Sequence, residues 1–244
     1  MEALILAAGF GSRLSKPLNK KPKSLLKIEK KTILFYLINQ IIKTKIDKIN
    51  IVVGFRKKLI IDYLTKNFSN KIKINFIHNK YYKKRGNIYS VCLAEKIIKK
   101  DVVIFNADII LPKNILNNFI LNSQKNLFLT NKNKFINHDD IVFLYKRNKK
   151  VENVFVKEGK NDKKNLAPSA GVVKMKKKTF ESFLSIIKKM NFKKIKYPEN
   201  GYRELIKKFK FNVCISDKKI IEIDTMEDYK NLKKVINNNK SYIC

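Results

Sequence analysis

A chain of 244 residues with 44% hydrophobic content can enclose one sizeable core, and two independent domains are not expected. Its formal net charge of +35 would ordinarily point to nucleic acid or an anionic membrane. The excess is almost all lysine, however, with Arg13, Arg56, Arg85, Arg147 and Arg203 as the arginines, and its even spread reads as a solvated surface rather than a nucleic-acid footprint.

Leu4, Ile5 and Leu6 suit the first strand of a mostly parallel sheet that is buried on both faces. Ala7 and Ala8 keep bulk low as the chain leaves that strand. Gly9 and Gly11 let the following loop take positive φ and turn successive N–H groups toward an anion. Arg13 offers a planar fork for two phosphate oxygens, and Lys23 a point charge. Two glycines after a strand also make an ordinary tight turn. The spacing fits neither the dinucleotide fingerprint, since Leu14 stands at its third glycine, nor the P-loop. Thr32 is placed to cap a helix carrying Ile33, Phe35, Tyr36, Leu37, Ile38, Ile41 and Ile42. Residues 49–54 read as a second buried strand, 56–66 as a second helix, and Ile72, Ile74, Phe76 and Ile77 as a third strand. This alternation predicts helices on both faces of a parallel sheet, with ligand beyond the carboxyl ends of its strands.

The polar, aromatic loop 79–86 leads into a helix starting near Asn87, whose amide serves either as the N-cap or as a contact for a nucleobase edge. Residues 101–110 read as a fourth strand ending in Asn106, Ala107 and Asp108. A carboxylate placed there, facing a phosphate loop, can hold Mg²⁺; alternatively it caps the following turn. From Asn126 onward, short strands at 127–130, 141–146, 151–157 and 172–175 predict an antiparallel or mixed extension that shapes an acceptor pocket. Within it, Asp139 and Asp140 beside His138 form a solvated turn or receive a cationic substrate group. Gly171 would let a ligand lie against the backbone. Helices are expected at 180–190, 202–208 and 226–238, with strands at 211–215 and 219–223 between the last two. The second of these strands runs into Asp224, puts Glu222 on the same face by its period of two, and leaves Thr225 or Asp224 to cap the last helix.

A glycine loop, Arg13, Lys23 and two strand-end aspartates are what nucleotidyl transfer asks for. Charge must be neutralised before one phosphate attacks another, and a metal on Asp108 and Asp224 would do so. No Ser-His-Asp or Cys-His arrangement supports covalent catalysis. Cys92, Cys214 and Cys244 contain no C-x-x-C pair, so a reducing compartment is expected, and His78 and His138 lie too far apart in sequence to suggest a ligand pair. No apolar run approaches the roughly 18 residues of a membrane span. A soluble, cytoplasmic chain without membrane or nucleic-acid partners is expected.

Three stretches carry a resemblance: LAAGFGSRL at Leu6–Leu14 with PKSLL at Pro22–Leu26, GNIYSVCLAE at Gly86–Glu95, and EIDTMEDY at Glu222–Tyr229. The chain resembles, nearly end to end, the bacterial phosphocholine cytidylyltransferase branch of the sugar-nucleotide nucleotidyltransferases. That resemblance implies a single Rossmann-like α/β domain, with a nucleotide half over about 1–125 and an acceptor half over about 126–244. It implies CTP and a small phosphorylated acceptor as substrates and Mg²⁺ on Asp108 and Asp224, with Arg13 and Lys23 acting beside them. Nucleotide contacts are expected from Leu6, Ala7, Ala8, Gly9, Phe10, Gly11, Ser12, Arg13, Lys23, Gly86, Asn87, Ser90 and Ala107. Acceptor contacts are expected from Tyr89, Asp139, Gly171, Tyr202, Glu204 and Glu222. The chain has no Trp to face a quaternary ammonium, so Tyr81, Tyr82, Tyr89, Tyr145 and Tyr202 are the aromatic candidates, and a phosphorylated amine, a phosphonate or an amide stays open. A sugar-1-phosphate nucleotidyltransferase using UTP, dTTP or GTP is the nearest alternative. A non-catalytic nucleic-acid-binding protein on the same fold is a second.

Overall fold

The structure is a computed structural model that describes residues 1–9, 11, 21–131, 141–156, 165–190, 198–238 and 242. Strand β1 (Glu2–Ala7) lies at the centre of a nine-stranded mixed sheet. It pairs in parallel with β4 (Lys48–Val53) and β6 (Val102–Asn106), and β5 (Lys73–His78) extends the parallel part beyond β4. Past β6 the sheet turns antiparallel through β11 (Leu166–Met175), which pairs with β8 (Leu127–Asn131) and β9 (Ile141–Tyr145), and β9 in turn pairs with β10 (Val151–Val156). Strand β12 (Asn212–Ser216) closes this half, parallel to β8. The expected parallel sheet with a mixed extension is the observed one.

Period-two burial explains why β1 is apolar from Ala3 to Ala7. Ala3, Ile5 and Ala7 face one core, with helices α1 (Ile33–Ile42), α2 (Lys57–Phe68) and α4 (Ile115–Leu121). Leu4, Leu6 and Ala8 face the other, with α3 (Asn87–Cys92), α5 (Lys177–Lys188) and α6 (Glu199–Lys208). A strand covered on both sides has no solvated face to mark with polar residues. Thr32 caps α1 as its sequence suggests, its hydroxyl accepting from the Phe35 N–H at 3.1 Å. Helix α4 ends differently: buried Lys174, reaching across from β11, donates to the Phe119, Ile120 and Asn122 carbonyls. A cation at a helix C-terminus satisfies orphan carbonyls and opposes their partial charge.

A third, smaller cluster gathers the short hairpin β2 (Lys27–Ile28) and β3 (Lys31–Thr32), strands β7 (Ile109–Ile110) and β13 (Ile221–Glu222), and helix α7 (Met226–Asn238). Here the structure departs from the expected strand at 101–110. The chain leaves the main sheet after Asn106, turns through Ala107 and Asp108, and pairs again as β7 with β13. The break puts Asp108 at a corner rather than at a strand tip. Among the described residues no helix is long and apolar enough to cross a membrane.

One charged contact gives a pH-dependent expectation. Asp101 accepts from the Lys177 N–H at 3.0 Å and the Lys176 Nζ at 2.7 Å, supplying the first turn of α5 with an acid from a distant segment. Burial pushes its carboxyl upward, but the hydrogen bonds from Lys176 and Lys177 outweigh burial and hold it below the ordinary 3.8. A carboxyl depressed on folding stabilises above its unfolded value, and that contribution is lost as pH falls through the folded one. The stability gap between the parent and Asp101→Asn, read by denaturant melts, is therefore expected to be full at pH 6–7 and to close below about pH 4.

Candidate active site

The carboxyl ends of β1, β4 and β6 lie side by side, since Ala7 is in register with Val53 and Leu6 with Asn106. Just beyond them lies a cavity of about 600 Å³, where open α/β sheets take their ligands. The loop after β1 forms one wall. Gly11 carries φ +62° and packs on the Lys23 stem, where an added Cβ would sit 3.4 Å from the Lys23 Cβ. Gly9 is exposed, without positive φ, and an added Cβ there would meet nothing within 4 Å. Only the second glycine, then, needs the left-handed region.

Lys23 opens a short 3₁₀ turn, Lys23–Leu25, behind Pro22. Its Nζ lies 2.5 Å from Asp108 Oδ2 and 2.8 Å from Asp224 Oδ1. Burial alone would lower the Lys23 pKa, but the two carboxylates more than reverse it and hold the ammonium above the usual lysine range. The acids meet because their backbones are tied together. Ile109 pairs with Glu222, Ile110 with Ile221, and the Ile223 N–H donates to the Asp108 carbonyl at 3.0 Å. Asp224 follows directly.

A capping box then fixes the Asp224 backbone. The Asp228 carboxylate accepts from the N–H groups of Asp224 and Thr225, and the Thr225 hydroxyl accepts from the Asp228 N–H. Asp228→Ala removes both of these acceptor bonds at once, with a third from the Thr225 hydroxyl. It is expected to cost about 1 kcal/mol of stability and, by loosening Asp224, a further about tenfold in divalent-cation affinity. Calorimetry and a Mn²⁺ titration read the two separately. A stability loss with unchanged Mn²⁺ affinity would leave Asp228 as a helix cap alone.

Across the cavity, β11 bends at Ser169–Gly171, where its register against β8 shifts. Gly171 has φ +70°, and its missing Cβ makes room for Asn106, whose amide nitrogen would lie 2.9 Å from it. That amide donates to Glu222 Oε1 at 3.1 Å. Asn106 thus holds a carboxylate in place. Five carboxylates line the cavity, those of Asp108, Glu222, Asp224, Glu227 and Asp228, against Lys23 as the single described cation. Among the described residues the hollow is acidic, which suits a divalent cation or the cationic end of a ligand.

Of the residues singled out from sequence, Leu6, Ala7, Gly9, Gly11, Lys23, Asn87, Ala107, Asp108, Gly171, Tyr202, Glu222 and Asp224 line this cavity. Others lie elsewhere. Ala8 is buried, and its carbonyl is taken by the Phe55 N–H. Ser90 is buried and accepts from the Asn79 amide at 3.0 Å. Gly86, not Asn87, holds the N-cap position of α3, so the Asn87 amide is not spent on capping. Tyr89 and Tyr81 flank the Arg85 guanidinium, at 4.4 and 4.7 Å from their ring centres, and Tyr82 packs against Phe55. Glu204 pairs with Lys207 one turn along α6. Phe10, Ser12, Arg13 and Asp139, with His138 and Asp140, fall outside the described residues.

Sequence reading missed Phe128. It lines the cavity beside Tyr202, edge-on at 5.1 Å, and Tyr202 in turn stacks on Phe183 at 5.0 Å. Nothing local in β8 marks that ring as a wall. The Thr225-x-x-Asp228 spacing, by contrast, was readable as a capping box.

The donor set suits a hard divalent cation. Asp108 Oδ1 is buried with no hydrogen-bond partner among the described residues, a costly state that a cation relieves. No cluster of three or more acids, histidines or cysteines stands ready to enclose a metal among those residues. Two carboxylates completed by substrate oxygens is the arrangement such a site permits.

Sheet, glycine loop and paired acids define a nucleotide-handling α/β transferase. Residues 2–138 match the Nucleotidyl transferase family, and the chain belongs to it. It is 31% identical to the bifunctional protein GlmU of Methanococcus maripaludis over 74% of its own length, but spans only 41% of that protein. It is 29% identical to the choline-phosphate cytidylyltransferase of Streptococcus pneumoniae, over 98% of this chain and 99% of that one. The solved CTP:phosphocholine cytidylyltransferase of S. pneumoniae superposes with a TM-score of 0.78 at 25% identity, covering 96% of this chain and 98% of that one. The inositol-1-phosphate CTP transferase of T. maritima shares the fold, with a TM-score of 0.81 at 16% identity over 100% of this chain and 97% of that one.

Proposed function

We propose that this protein transfers CMP from CTP to a small phosphorylated amino-alcohol such as phosphocholine, or a related phosphonate, and releases pyrophosphate. The observation that carries the reading is the convergence of Lys23, Asp108 and Asp224 beside Gly11, in a cavity whose far wall is acidic and aromatic. An oxygen of the acceptor phosphate, already ionised, attacks the α-phosphorus of CTP. The bond from that phosphorus to the bridging oxygen breaks, and pyrophosphate leaves with the electron pair. No proton has to move. The loop amides at Gly9 and Gly11 and the cations Arg13 and Lys23 oppose the negative charge as it shifts. Asp108 and Asp224 would hold Mg²⁺, which when bound neutralises phosphate charge and orients the displacement.

Acceptor choice rests on the other wall. Phe128 and Tyr202 present aromatic surface and Glu222 a carboxylate, the chemistry that receives an alkylammonium. The match to the pneumococcal choline-phosphate enzyme along nearly the whole of both chains supports the same reading. We place the reaction in the cytoplasm, in keeping with free thiols at Cys92 and Cys214. Similarity to the UTP–glucose-1-phosphate uridylyltransferase AglF of Haloferax volcanii, 28% identical over 47% of this chain, favours a second reading, a sugar-1-phosphate nucleotidyltransferase using another triphosphate.

Pyrophosphate release decides between them. CTP, UTP, dTTP and GTP are each tested against phosphocholine, phosphoethanolamine, 2-aminoethylphosphonate and glucose 1-phosphate. Turnover with CTP and an amino-alcohol phosphate or the phosphonate is expected. Turnover confined to a sugar phosphate would transfer the assignment to the second reading. Silence on the whole panel, with steeply salt-dependent nucleic-acid binding, would favour a non-catalytic role.

A further inference from the structure

The ammonium of Lys23 contacts a carboxylate oxygen of each aspartate, at 2.5 and 2.8 Å, and all three side chains are at least two-thirds shielded from solvent. A divalent ion held by the same two groups competes with that ammonium for them. The Lys23 ammonium has three N–H donors, and with two of them on Asp108 and Asp224 at most one is left for a phosphate, so full engagement with a triphosphate means giving up the acids. Its stem packs on Gly11, so the head is tethered where the anion loop and the acid pair adjoin.

We propose that Lys23 is a built-in countercation that holds Asp108 and Asp224 together before substrate arrives and keeps a free divalent ion off them. The triphosphate releases the acids by drawing the ammonium to its own oxygens, so metal and nucleotide enter as a coupled pair rather than independently. This rests on the reading that the two aspartates are the metal ligands. It goes beyond that reading in giving the lysine a second position and in making the order of binding a property of one side chain. The benefit is chemical: an acid pair already neutralised does not scavenge cations, and the metal is engaged only when there is phosphate to act on.

Mn²⁺ alone is the probe, titrated by electron paramagnetic resonance of the free ion, with and without CTP and without acceptor. Lys23→Gln removes the charge but keeps donors for both carboxylates, Lys23→Met removes both, and Lys23→Arg retains a cation. The two neutral variants are expected to bind Mn²⁺ alone at least about tenfold more tightly than the parent, with K23R close to the parent. CTP should raise the Mn²⁺ affinity of the parent more than that of K23Q, and Mn²⁺ should raise CTP affinity by the same factor in each protein. Far-ultraviolet circular dichroism establishes that each variant is folded, and K23Q stands in if K23M is not. Equal Mn²⁺ affinity in the parent and K23Q without nucleotide overturns the proposal and leaves the metal reading standing. Failure of every protein to bind Mn²⁺, with CTP present as well, overturns the metal reading and the proposal with it.

Discussion

Asp224→Ala is expected to lower kcat/KM for pyrophosphate release by at least about 1,000-fold, a loss of about 4 kcal/mol of transition-state stabilisation. Asp108→Ala should do the same. The size follows from where the charge must go. In the proposed reaction a triphosphate and a phosphorylated acceptor bring several negative charges into one cavity, and Asp108 and Asp224 are the pair that would hold a divalent ion against them. The fold should survive either change. Lys23 keeps one carboxylate in each variant, and Asp108 and Asp224 are 19% and 32% exposed, so neither truncation opens a sealed core. Melting temperature and initial rate are measured on the same preparations. A folded variant within tenfold of the parent would remove that residue from the chemistry, and if both behaved so the transfer mechanism would have to be abandoned.

The second large effect is structural. Gly54→Ala would place a Cβ 2.7 Å from the Ala8 carbonyl oxygen and 2.8 Å from the Tyr82 Cβ. Neither neighbour is the loose end of a flexible side chain. The Ala8 carbonyl also accepts from the Phe55 N–H at 3.1 Å, and Gly9 comes next. Relief therefore means moving the root of the anion loop or the loop that carries Tyr82. Overpacking of this kind costs about 2 kcal/mol, or roughly 4–8 °C in melting temperature for a chain this size. CTP affinity should weaken alongside, because the displaced backbone is the one that presents the loop. Gly9→Ala, where the added carbon meets open space, supplies the contrast and should leave the melting temperature within about 1 °C. An unchanged Gly54→Ala melt would mean that the close approach relaxes freely.

What could be read without the structure followed local physics. The apolar run from Leu4 to Leu6, the Thr32 cap and the helix from Met226 to Asn238 each announce themselves over a few neighbouring residues. What could not be read depends on partners far away in sequence. Residues 101–110 look like one continuous strand, and nothing in them reveals that Ile109 and Ile110 will leave the sheet to pair with Ile221 and Glu222. Strand β11 hides for the opposite reason. Pro168 and Gly171 argue locally against a strand, yet Pro168 pairs with Val142 of β9 inside the sheet and Gly171 sits at a bend. Helix α4 was legible and overlooked: Leu116, Phe119 and Ile120 carry a helical pattern in a stretch too short to attract notice. Of the residues expected at the site, Asp108 and Asp224 both line the cavity, Asp108 from a corner that its sequence does not mark, whereas Ser90 is buried and accepts from Asn79.

The ladder of β7 with β13 also sets a timetable. A ribosome delivers Asp108 well before Ile221 and Asp224, so a nascent chain can assemble the early strands and the glycine loop while still lacking its second acid. Translation supplies the second acid of the candidate site only near the end of the described chain. A copy clipped by a protease ahead of Ile221 likewise cannot assemble the acid pair.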